Sequence, residues 1–76
     1  MKEVLEIIAK SLVEHPEQVN VTEINNEDNS VTLELRVAQS DMGKVIGKQG
    51  RIAKAIRTVV KAAANRENVK ASVDII

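Results

Sequence analysis

The stretch Gly43-Lys44-Val45-Ile46-Gly47-Lys48-Gln49-Gly50-Arg51-Ile52 decides how this 76-residue chain folds. Glycines at 47 and 50 bracket two polar residues where one helical pattern must hand over to the next. Glycine accepts positive φ and lets another backbone come close. The turn also leaves free amide N–H groups at the start of the following helix, whose positive dipole end favours a phosphate. Lys48 adds charge beside those amides, with Lys44, Arg51 and Lys54 around it. Two other phosphate-binding glycine motifs do not fit. A Walker A loop needs a second glycine five residues after the first, and that position after Gly43 is Lys48. A dinucleotide fingerprint needs a third glycine at the right offset and a preceding strand, and both are missing.

On the N-terminal side of the turn, Ser40-Asp41 offers a helix N-cap, followed by a short helical turn through Ile46. On the C-terminal side, a helix over roughly 51–65 places Ile52, Ile56, Val59, Val60 and Ala63 on one face. Arg51, Lys54, Arg57 and Lys61 cluster opposite, and Asn65 closes the helix. Further out, Val31, Leu33, Leu35 and Val37 alternate with polar residues as the clearest strand. Val19–Ile24 reads as another strand, with a bulge that puts both Val21 and Ile24 on the core face. The run from Asn25 to Ser30 is a turn between them. Val69, Ala71, Val73 and Ile75 make a last strand, and residues 2–14 an amphipathic helix that Pro16 ends. The order is α-β-β-α-α-β. Because the second and third strands are joined through helices, they are expected to be parallel. The fold class is α+β: a three-stranded mixed sheet with helices on one face, in one domain over residues 1–76.

Composition narrows the chemistry. There is no Cys, so no disulfide framework, thiol nucleophile or cysteine-type zinc site, and one His cannot build a His-rich metal site. No apolar run approaches ~18 residues, and the start carries Glu3 and Glu6 rather than a signal peptide's basic region. A soluble cytoplasmic protein is expected, with no membrane contact. The formal charge is zero, yet it is segregated. Met1–Asp41 holds three basic residues against nine acidic ones, whereas Met42–Arg66 holds seven basic residues and no acid. Such asymmetry points to an anionic partner. Arg57, Lys61 and Arg66 lie progressively further from the glycine turn and read as a general electrostatic surface. His15, Glu27, Asp28 and Met42 read as surface or packing residues, and no serine sits in a nucleophile context. No enzyme activity, cofactor, metal or small-molecule substrate is expected.

Val45-Ile46-Gly47-Lys48-Gln49-Gly50-Arg51-Ile52, followed by Ile56, resembles the aliphatic-Ile-Gly-x-x-Gly signature of the KH domain. The element order resembles its type II arrangement, over the whole chain, as in the small stand-alone bacterial RNA-binding proteins of the KhpA family. That resemblance implies a groove for about four unpaired nucleotides. Gly47, Lys48, Gln49 and Gly50 would hold the strand's backbone. Val45, Ile46 and Ile52 would form an apolar floor, with the last strand and the 25–30 loop as the other wall. The implied partners are single-stranded RNA and a second KH-domain chain, in a homodimer or heterodimer. The implied role is that of a post-transcriptional regulator or RNA chaperone. The alternative is an assembly module in which RNA contact is secondary. With no Phe, Tyr or Trp, bases cannot stack on rings as they do in other RNA modules.

Overall fold

The computed structural model describes all residues, Met1–Ile76. Helix α1 spans Lys2–Leu12, strand β1 Asn20–Asn25 and strand β2 Val31–Arg36. Helix α2 spans Met42–Ile46, helix α3 Arg51–Arg66 and strand β3 Ala71–Ile75. Short 3₁₀ turns at Pro16–Gln18, Gln39–Asp41 and Lys48–Gly50 join them. The expected order holds, with β2 in the centre of the sheet, antiparallel to β1 and parallel to β3.

Alternation along the strands sorts the side chains. Val31, Leu33 and Leu35 of β2, with Val21 and Val73 from its neighbours, point into the core. Leu5 and Ala9 of α1, Val45 of α2, and Ile56 and Val60 of α3 meet them there. The opposite face of the sheet is polar. Glu34 pairs beside Asp74, and Thr32 beside Ser72, whose hydroxyls lie 3.4 Å apart. Aliphatic side chains alone therefore fill the core, in keeping with a chain that has no aromatic residue.

Several local expectations are corrected. Strand β1 pairs with β2 in unbroken register from Asn20↔Arg36 to Asn25↔Val31, so there is no bulge, and Ile24 stays on the outer face. Helix α1 ends at Leu12 rather than 14, with Val13 already extended at φ −97°, ψ 161°. Beyond it, the N–H groups of Glu14 and His15 bond to the Asp41 carboxylate instead of continuing the helix. Helix α3 runs past Asn65 to Arg66, and the chain reverses at Asn68, whose φ is 57°. Strand β3 begins at Ala71, not Val69, because the Val69 N–H is taken by the Ala64 carbonyl at 3.0 Å.

The α3 core stripe is also rotated from its expected position. Ala53, Ile56, Val60 and Ala64 are buried, whereas Val59 is 47% exposed and Ala63 only partly covered. Small alanines at 53 and 64 share the buried face with Ile56 and Val60, and the larger Val59 lies off it.

Asp41 does not cap α2. Its carboxylate, almost fully buried, reaches back 26 and 27 residues to accept the backbone N–H groups of His15 (3.0 Å) and Glu14 (3.2 Å). It therefore fastens the segment after α1 to the start of α2. Burial alone would raise the pKa of this carboxyl. The two N–H donors, together with the nearby His15 and Lys44, outweigh burial and hold it below the ordinary aspartate range.

Candidate nucleic-acid interface

The glycine turn is built by backbone geometry that most residues avoid. Gly47 ends α2 at φ 74°, ψ 176°, a region open in practice to glycine alone. A Cβ at this position would stand 2.6 Å from Cγ1 of Ile52, so the side chain of Ile52 closes over the turn. Gln49 and Gly50 follow in the left-handed region, at φ 58° and 72°. The Gln49 side chain lies toward the helix start, its Oε1 accepting a hydrogen bond from Nη2 of Arg51 at 3.4 Å.

Helix α3 starts from Gly50 with no side-chain cap and no acidic residue in its first turn. The first N–H groups of a helix have no partner within it. Here the Arg51 N–H bonds to the Lys48 carbonyl and the Gly50 N–H to the Gly47 carbonyl at 3.2 Å, and exposed Lys48, Arg51 and Lys54 flank the helix start. Cations at this end run against the helix dipole. None of the three makes an ion pair, nor do Arg57, Lys61 or Lys70. An uncapped positive helix end flanked by unpaired cations favours negative charge nearby.

The expected site residues are not equivalent. Gly47, Lys48, Gln49, Gly50 and Arg51 are brought together at the turn, with Lys54 one turn along α3. Ile46 and Ile52 are partly covered beside it, and Val45 is completely buried, so it supports the turn from below. Lys44 is occupied elsewhere. Its Nζ lies 3.3 Å from Glu14 and 3.9 Å from Asp41, facing the segment after α1 rather than the turn. The loop expected as a far wall, 25–30, stands at the other end of α3. Val31 next to it bonds to Lys70, just before β3, while the glycine turn opens the opposite end of that helix.

Around α3, two flanks diverge from the buried stripe. One faces α1 across an apolar groove of about 380 Å³ lined by Ile8, Leu12, Arg51, Ile52, Ala55, Ile56 and Val59. The other faces β3, where Nε of Arg57 donates to the carbonyl of Val73 at 3.3 Å. A polar hollow of about 290 Å³ lies further along this seam between Lys61, Asn65, Lys70 and Ala71. Both features escaped sequence reasoning. The spacing of Arg57 and Lys61 along one helical flank was a signal for half of the second. Nothing local in the sequence brings Lys70 to them.

Three helices on one face of a β1-β2-β3 sheet, with a Gly-x-x-Gly turn between the two helices of the crossover, define a KH domain of the type II arrangement. Consistent with this, the fold resembles part of the crystal structure of Aquifex aeolicus Era bound to GDP.AlF4-, with a TM-score of 0.68 at 18% identity. The similarity covers 99% of this chain and 30% of that one. The family model described as "KhpA/KhpB, KH domain" matches residues 2–75, and the chain belongs to that family. It is 68% identical to RNA-binding protein KhpA of Clostridium perfringens and 64% identical to that of Clostridium acetobutylicum. Both comparisons span 100% of each chain. No helix is long and apolar enough to cross a membrane.

Proposed function

We propose that this chain binds single-stranded RNA without catalysing a reaction, gripping the strand's phosphates at Gly47–Gly50. The observation that carries this reading is the start of α3: a glycine N-cap with no side-chain cap and no acid nearby, flanked by unpaired Lys48, Arg51 and Lys54. The full-length similarity to proteins named RNA-binding protein KhpA supports it. Amides of the turn and the helix start hold phosphate oxygens, and Ile46 and Ile52 offer an aliphatic surface to the bases. Without aromatic stacking, each base contributes less than the ~1–3 kcal/mol typical of a stacked one. A single domain then binds weakly and with modest sequence preference. Such a protein suits a cytoplasmic RNA chaperone or post-transcriptional regulator that works beside a second RNA-binding module.

The test is the double variant Lys48→Asp with Gln49→Asp. Aspartate tolerates the left-handed backbone at 49 better than glutamine does, so the turn keeps its shape. RNA retention should be lost while circular dichroism and melting stay near wild type. Undiminished RNA binding would overturn the reading.

A second reading, a module that pairs with itself or with another KH-domain chain, is favoured by the apolar α1–α3 groove and the exposure of Val59 on its rim. The two readings meet at Arg51 and Ile52, which line this groove as well as the glycine turn. Val59→Glu should shift sedimentation from dimer to monomer. A wild type that sediments as a monomer at high micromolar concentration would rule self-pairing out.

A further inference from the structure

Helix α2 carries the glycine turn on its C-terminal end, yet it has little of its own to hold it in place. It is five residues long, where an isolated helix needs about 12–15 to persist in water, and no side chain caps it. Val45 is the one residue within it that is buried. Its last backbone bond, from the Gly47 N–H to the Gly43 carbonyl at 2.8 Å, leads directly into the turn. The direction of α2 therefore decides where Gly47–Gly50 stand before the start of α3.

Asp41, at the opposite end of α2 from Gly47, supplies what the helix lacks. Its two carboxylate oxygens divide between two consecutive donors: Oδ1 accepts from the Glu14 N–H and Oδ2 from that of His15. A two-point grip of this kind fixes orientation as well as position. One turn further along, Lys44 reaches the same segment through the Glu14 carboxylate, so both ties of α2 run to residues 14 and 15. That segment lies outside any helix or strand, and its two N–H groups have no other partner.

Resting on the reading that the turn grips RNA, we infer that Asp41 is a positioning residue for that grip. It holds α2, and with it Gly47–Gly50, in the shape that receives phosphate, without touching RNA itself. Residues 14 and 15, which are no part of the glycine motif, become the fixed point from which the site is aimed.

Charge and position act in opposite directions in Asp41→Asn. The variant removes a carboxylate from the neighbourhood of an anion site, which by charge alone tightens RNA binding. It also leaves one acceptor oxygen for two N–H donors, which loosens α2. With a single-stranded tetranucleotide, at a temperature where circular dichroism shows each variant folded, Asp41→Asn should weaken binding roughly five- to tenfold. The slope of log K against log salt should stay as in the wild type, because the same phosphates are held. A core change, Leu33→Val, lowers the melting temperature while leaving Asp41 and its donors in place, and should bind within about twofold of the wild type. Tighter or unchanged binding by Asp41→Asn, or equal weakening by Leu33→Val, would overturn the inference.

Native-state hydrogen exchange on the wild type gives a second check that needs no variant to fold. The N–H groups of Glu14, His15 and Gly47 should open as one unit as urea is added. Exchange of Glu14 and His15 at a markedly lower free energy than Gly47 would show the clamp opening with the turn in place, and would equally overturn it. A wild type that binds no tetranucleotide would overturn the reading of the turn, and the role of Asp41 in RNA binding with it.

Discussion

Gly43, Gly47 and Gly50 lie within eight residues of one another, yet the backbone asks something different of each. Gly47 has both a left-side φ and no room, since Ile52 occupies the space of a side chain. Gly50 has the positive φ but open space around it, and Gly43 is an ordinary helical residue with nothing within 4 Å of an added Cβ. Alanine substitutions should therefore rank clearly in urea unfolding. Gly47→Ala should lose about 2–4 kcal/mol through combined strain and overpacking. Gly50→Ala should lose about 1–2 kcal/mol from left-handed backbone alone. Gly43→Ala should gain about 0.5–1 kcal/mol, because it removes glycine's excess freedom from a helix. Equal losses at 47 and 50 would mean that the contact with Ile52 is not what reserves position 47 for glycine. The sequence motif marks 47 and 50 alike, and only the structure separates a steric demand from a conformational one.

Between elements, the most informative link is the one from Asp41 to the segment after α1. The sequence makes Asp41 look like a local cap for α2, because Ser40-Asp41 precedes an apolar helical pattern. Its true partners are the N–H groups of Glu14 and His15, far away in the chain, and no periodicity could have named them. The helices and strands themselves were legible because alternation and helical spacing report which face is buried. Their ends, the absence of a bulge and the α3 stripe are not legible because neighbours decide them: the β2 register for Ile24, the burial of Ala53 and Ala64 for Val59. In the site, Lys48 and the glycines were legible, whereas the diversion of Lys44 to Glu14 and Asp41 depends on how α1 packs.

The Asp41 link also sets a pH dependence. Its carboxyl titrates lower in the folded chain than in the unfolded one, so its contribution is complete above the ordinary aspartate pKa of about 3.9. That contribution is lost as pH falls from there through the depressed native value. Asp28, lowered first by the Ser30 hydroxyl, and Glu3, lowered first by a backbone N–H at the start of α1, act in the same direction from exposed positions. The melting temperature of the wild type should fall steadily between pH 5 and about pH 2. Asp41→Asn should melt lower at pH 7 and show a shallower fall in acid. An acid limb as steep as the wild type's would mean that Asp41 is not the dominant titrating group.

Over the whole molecule, zero net charge is the sum of an acidic scaffold and a basic segment of seven cations without an acid. The polar outer face of the sheet, with Glu34 beside Asp74, faces away from the helices and repels a polyanion. Binding should therefore reflect the cations at the site and not a general field. If about two to three phosphates of a tetranucleotide are neutralised, log K against log salt should slope between about −1.4 and −2.1. Engagement of all seven cations would give about −4.9 instead. A slope near that steeper value would show diffuse attraction over the segment, and a flat one would remove phosphates from the mechanism.

The parallel pairing of β2 with β3 has a consequence in time. Residues that face each other there, such as Val31 and Ala71, are forty positions apart, whereas the β1–β2 hairpin closes locally. Distant pairings form slowly, because the intervening loop must be ordered before they stabilise anything. The whole basic segment lies inside that loop. During synthesis the hairpin can fold early, but the seam beside α3 has only one side until Ala71–Ile75 has left the ribosome. A nascent chain short of those five residues carries every cation of the segment but lacks the strand against which α3 completes its seam, so that face is finished last and all at once.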